Sequence, residues 1–132
     1  MIETNKQGGK QTKITEKPTE LPPMALLAVA AVMAEGSEAY PREADGTPNW
    51  FRISSKSNLD HSLRHVFLYQ AEMNGPKNDR DWAYACEELT HFVARGLMAL
   101  DRLLEEMDTA EEESTLTSET IALTIPNHMN KS

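Results

Sequence analysis

Cysteine is nearly absent from this chain: Cys86 is the single one in 132 residues. One thiol closes no internal disulfide, and such scarcity fits a reducing compartment. Basic residues are in the minority. Thirteen Lys and Arg stand against 21 Asp and Glu, for a net charge of -8 and a pI near 4.9. Nucleic-acid surfaces want a basic patch, so no nucleic-acid partner is expected; a phosphate substrate screened by metal ions remains compatible. Long hydrophobic runs are missing too. The apolar stretch from Met24 to Ala34 falls short of the roughly 20 residues a bilayer span needs. Residues 1–20 are polar, so no secretory leader is expected. No membrane partner is expected, and the cytoplasm is the expected location. A phosphate-cradling GxxxxGK[ST] loop, a CxxC pair and a GxSxG elbow are also absent, which removes three common chemistries.

What is present is helical. Hydrophobic residues make up 39% and the mean hydropathy is -0.54, so one domain with a modest core and polar tails is expected. Residues 1–16 show no apolar period and read as a flexible arm. Pro22 and Pro23 open a first helix that runs to about Tyr40 and stops before Pro41. A turn-rich loop follows. Ser57 or Asn58 can cap a second helix reaching about Met73, with a stripe of Leu59, Leu63, Val66, Phe67 and Met73. Asp79 or Asp81 can cap a third, to about Met107. Its period is the clearest: Trp82, Cys86, Leu89, Val93, Leu97, Leu100 and Leu104 recur at three- and four-residue steps. On that stripe Cys86 reads as packing. Residues 108–132 form an acidic and polar tail in which 115–125 could make an edge strand. The fold class is therefore all-α, a small helical bundle. The first helix is apolar on nearly every side, which predicts burial, so the core should be completed by oligomerisation into a homodimer or homotetramer.

The polar residues on these helices are informative. Glu35 and Glu38 end the apolar helix about 60° apart on a helical wheel. Together they offer up to four oxygens to a hard cation such as Mg²⁺ or Mn²⁺. A plain solvated helix end is the competing reading, at even odds. On the second helix His61, His65 and Glu72 share a face, and imidazole suits Mn, Zn or Fe; for His61 a wet helix face is the better reading. Asp60 and Arg64 can make an ordinary i,i+4 ion pair, or Arg64 can take a phosphate bidentately. On the third helix Glu88 borders the apolar stripe and is the better ligand candidate, while His91 points away toward solvent. The loop supplies Asn49, Trp50, Arg52 and Lys56. Trp50 can stack a base and Asn49 can read its edge, or Trp50 can plug the end of the bundle.

Several of these pieces occur together elsewhere. The segments LPPMAL, Gly36-Ser37-Glu38-Ala39-Tyr40, Asn49-Trp50 and Leu63-Arg64-His65 resemble phage-encoded dATP/dGTP diphosphohydrolase-like proteins. Those are related to MazG-type all-α nucleoside triphosphate pyrophosphohydrolases; the similarity covers about Lys17 to Leu104, within an expected helical domain of residues 17–107. The resemblance implies a MazG-like helical domain with an ExxE motif, here Glu35-Gly36-Ser37-Glu38, and a second acidic motif. Two registers compete for the second: Ser62-Leu63-Arg64-His65 and Glu88-Leu89-Thr90-His91. Both place histidine where the family has aspartate, which tilts the metal preference toward Mn²⁺.

The expected activity is metal-dependent hydrolysis of a purine deoxynucleotide, with dGTP the first choice, to monophosphate and pyrophosphate. In that reading Glu35, Glu38, His65 and Glu88 hold one or more Mg²⁺ or Mn²⁺ ions, with Glu38 catalytic. Arg64 and Lys56 neutralise phosphates, and Asn49 and Trp50 bind the base. The host cytoplasm is the place of action if the chain is phage-encoded. The rival, from another class, is a non-catalytic helical oligomer that binds nucleotides or a host protein.

Overall fold

The computed structural model describes residues 2–121, with side chains as far as residue 115. Strands β1 (Ile2–Thr4) and β2 (Lys10–Thr12) pair antiparallel, Ile2 opposite Thr12. The expected irregular arm is thus a hairpin in part. Asn5 closes it: its Oδ1 accepts from the N–H groups of Gln7 and Gly9, and Gly8 takes a φ of 81° that favours glycine. The Gly8-Gly9 pair was the available turn signal.

Helix α1 (Pro23–Ala39) starts on Pro23, where the missing N–H costs nothing. It ends because Tyr40 precedes a proline and leaves the helical region, at φ -128° and ψ 83°. Helix α2 (Ser55–Asn74) is capped by Ser54, whose Oγ accepts from the Ser57 N–H at 3.1 Å. The expected cap at Ser57 or Asn58 is therefore placed too late; several serines compete, and only backbone geometry selects one. Helix α3 (Trp82–Ile121) is capped by Asp81, which accepts from the Tyr84 N–H. It continues beyond Met107, so residues 115–121 are helical rather than a strand, and 122–125 lie outside the described residues. The acidic run Glu111–Glu113 of the expected polar tail is made of good helix formers.

The packing corrects the expected stripes. Helices α2 and α3 form the main pair, and α1 leans on α3 through Val29. The most buried side chains of α2 and α3 are Asn58, Ser62, Ala94 and Ala85, and Asn58 and Ser62 bond across the seam to Arg95 and Phe92. Ser62 donates to the Phe92 carbonyl at 3.0 Å, and Gly96 lies opposite its hydroxyl. These small residues let the two helices approach closely. The stripe expected to be buried is not: Leu63 is 41% and Phe67 65% exposed, and Leu59, Trp82, Cys86, Leu89, Val93, Leu97, Leu100 and Leu104 are exposed as well. On α1 most apolar side chains, including Leu27, are likewise exposed. Periodicity reports that a face is apolar, not which neighbour covers it. Among the described residues no helix is long and apolar enough to cross a membrane.

Candidate active site

Residues 41–54 cross from α1 to α2 and fix the aromatic loop. Gly46 turns at φ 86°, and Asp45 Oδ1 accepts from the Thr47 N–H at 2.9 Å. The Thr47 side chain first, and this backbone bond second, hold the Asp45 carboxyl below its ordinary range. Pro48 leads into a single 3₁₀ turn, Asn49–Arg52. The Arg102 guanidinium of α3 lies over the Phe51 ring at 4.9 Å, a cation–π contact. Trp50 rests on Phe51, with ring centroids 4.6 Å apart. At the loop's far end, Glu106 of α3 accepts from both the backbone N–H and the hydroxyl of Ser55. These bonds hold the Glu106 carboxyl below its ordinary range, the Ser55 hydroxyl contributing most.

A cavity of about 610 Å³ opens where the end of α1, this loop and the α2–α3 pair meet. The size suits a small-molecule ligand. Glu35 and Tyr40 of α1 line it, with Asn49 and Trp50 of the loop. The loop also adds Arg42, and helices α2 and α3 add His61, His91 and Arg95. Trp50 and Met33 also line an apolar groove of about 320 Å³, with Val29, Leu97 and Leu100.

Three of the eight expected site residues, Glu35, Asn49 and Trp50, thus share one cavity. Glu38 is exposed on α1 and outside that wall. His65 and Glu88 meet each other instead: Nδ1 lies 2.6 Å from a carboxylate oxygen across the α2–α3 seam. Lys56 pairs with Asp60 at 3.2 Å on the exposed face of α2, in place of the expected Asp60–Arg64 pair. Arg64 is exposed and lines no part of the cavity.

His91 corrects an expectation. It does not face bulk solvent but is half-buried, lines the cavity and stacks on His65, with centroids 4.9 Å apart and rings 21° from parallel. The two histidines that competed for one motif position are neighbours in space. Arg95 was given no role in the sequence, although it follows His91 by one helical turn; that i,i+4 spacing was the available signal.

Among the described residues, no three His, Cys, Asp or Glu side chains converge to hold a metal ion by themselves. The donors fit a looser mode. Mg²⁺ is commonly held by one or two carboxylates, waters and the phosphates of its substrate rather than by an all-protein cage. Glu35, on the cavity wall and making no ion pair among the described residues, suits that role.

The family model described as dATP/dGTP diphosphohydrolase, N-terminal, matches residues 5–112. The chain belongs to that family. Membership makes it one of a family of hydrolases, and the all-α architecture agrees. The matched span takes in α1, the aromatic loop and α2, and most of α3, so every cavity residue named above falls inside it. No curated protein and no solved structure matches the chain.

Proposed function

We propose that the protein is a divalent-metal-dependent pyrophosphohydrolase of a purine deoxynucleotide, with dGTP preferred. The observation that carries this reading is the cavity itself. Within a chain of the diphosphohydrolase family, it gathers one carboxylate, two imidazoles, two guanidiniums and an indole.

Each residue has a task that follows from its chemistry. Trp50 offers the large face on which a purine stacks. Asn49 presents an amide to the base edge, where its oxygen accepts from the N–H groups of guanine. Glu35, with Glu38 one turn on, presents carboxylate oxygens to a cation that arrives with the phosphates. When bound, a divalent cation screens the phosphate charge and lowers the pKa of a water molecule. His91 stands on the same wall within reach of solvent and can accept a proton from water attacking the α-phosphorus. His65 and Glu88, placed behind it, support its ring. A water oxygen joins the α-phosphorus, the bond to the bridging oxygen breaks, and pyrophosphate leaves. The assembly is a dimer or tetramer in which apolar stripes of α2 and α3 meet those of other copies.

The deciding experiment incubates the pure protein with each of the four dNTPs and Mg²⁺ or Mn²⁺, and identifies products by ion-exchange chromatography. dGMP and pyrophosphate are expected, fastest from dGTP. Release of single phosphates would overturn the reaction, and equal rates with dCTP would overturn the base preference.

A further inference from the structure

The two largest fully buried side chains of the described residues are both polar, Asn58 at 0% and Ser62 at 1% exposure. Burying a side-chain amide is unfavourable unless its donors and its acceptor are bonded. Asn58 meets that condition. Its Nδ2 donates to the carbonyls of Ile53 and Ser54, each at 3.3 Å. Its Oδ1 accepts from Arg95 Nη1 at 3.0 Å. An apolar side chain of the same size would fill the space without those requirements. What it could not do is hold Arg95.

The guanidinium of Arg95 has five N–H donors in a planar fork. One goes to Asn58, and among the described residues no carboxylate comes within ion-pair distance of it. The side chain lines the large cavity together with Glu35 and Trp50; Arg42 lines it too, but from an exposed position on the loop where its Nη1 donates to the Gly46 carbonyl at 2.7 Å, whereas Arg95 is part-buried and held by a buried side chain. A cation so placed, fixed at one end by a fully buried amide, is preorganised for an anion, because little rotamer freedom is left to lose on binding. The two cations expected to meet phosphates, Lys56 and Arg64, are outside the cavity.

We infer that Arg95 is the anion-recognition residue of this cavity, taking a phosphate group of the substrate, and that Asn58 is the positioning residue that aims it. That the anion belongs to a nucleotide rests on the function proposed above; recognition of a phosphate chain does not.

Isothermal titration in the absence of metal tests both parts. Inorganic tripolyphosphate, dGTP and deoxyguanosine are titrated into the wild type, R95A, R95K, N58A and the R95A/N58A double variant. R95A is expected to weaken tripolyphosphate and dGTP by roughly ten- to a hundred-fold, the size of a charge-assisted hydrogen-bond loss. Deoxyguanosine affinity should stay within about two-fold, since no phosphate is present. R95K should recover only part, because an ammonium lacks the fork. N58A should weaken the same two ligands in the wild-type background and add nothing in the R95A background. A purely structural asparagine would give additive losses and overturn the positioning role. R95A and R95K leave the buried amide intact, so they decide the anion role whether or not N58A folds. Absence of tripolyphosphate binding to the wild type, unchanged dGTP affinity in R95A, or an equal loss for deoxyguanosine would overturn it. Arg95-dependent tripolyphosphate binding with no dNTP hydrolysis would remove the proposed reaction and leave this inference standing. Hydrolysis of dGTP that ignores Arg95 would do the reverse.

Discussion

His65 of α2 and Glu88 of α3 meet across the helix seam at 2.6 Å, with side chains only 19% and 12% exposed. The contact joins the two helices at the level where His91 stacks on His65. A part-buried bond of this kind costs more to break than to replace, because the remaining partner loses its water as well. Glu88→Ala is therefore expected to lower stability by about 1–3 kcal/mol without metal, read by urea unfolding. If the pair also touches a bound cation, Mn²⁺ should raise the wild-type melting temperature and leave the variant unmoved. A variant as stable as the wild type would show that this bond adds nothing to the fold.

Glu35 and Glu38 end the same helix, yet only Glu35 lines the cavity. Both are exposed, so neither supports the packing. Glu35→Gln and Glu38→Gln should each leave the melting temperature within about a degree, as surface substitutions do. Hydrolysis by Glu35→Gln should fall by more than the roughly 10–100-fold that loss of an outer-shell metal partner costs, and Glu38→Gln should also lose activity, by no larger a factor. Steady-state assays with Mg²⁺ check this. Glu35→Gln activity within a few-fold of wild type would remove that carboxylate from the metal reading.

Acid should unfasten the loop from α3. Ser55 holds the Glu106 carboxyl below its ordinary value of 4.5. A depressed folded-state pKa contributes stability above the unfolded value and loses it as the pH falls through the folded value. The Glu106 contribution should thus be full at neutral pH and disappear below about pH 4.5. Asp45 acts in the same direction through Thr47, so the difference between wild type and Glu106→Gln isolates the one group. Melting temperatures from pH 7 to pH 3 should converge for the two proteins at the acid end. Curves that stay parallel would assign the acid response elsewhere.

Leu63 and Phe67 on α2 and Leu97 and Leu100 on α3 are exposed apolar side chains at helical spacing. Apolar surface of this extent on a small protein marks an interface. The protein is expected to be a dimer or tetramer at micromolar concentration, and Leu97→Asp to shift it toward the monomer mass, by light scattering. A wild type already of monomer mass would refute the assembly.

The residues themselves determined a great deal. Prolines at Pro23 and Pro41 bounded α1, Asp81 announced α3, and the three- and four-residue periods required helices, because these are local effects of dihedral restriction and side-chain spacing. Glu35, Asn49 and Trp50, read from the sequence as candidate site residues, line one cavity. Tertiary structure alone decided the rest. It chose the face with Asn58, Ser62 and Ala85 for the α2–α3 seam and left the leucine stripe outside. It brought together His65 and His91, separated in sequence by about two and a half turns of α2, a loop and about two and a half turns of α3, and it turned Arg95 rather than Arg64 toward the cavity. A sequence fixes the direction of a side chain relative to its own helix. Which helix lies on that side depends on how closely two surfaces can approach, and here small side chains and one satisfied amide set that distance.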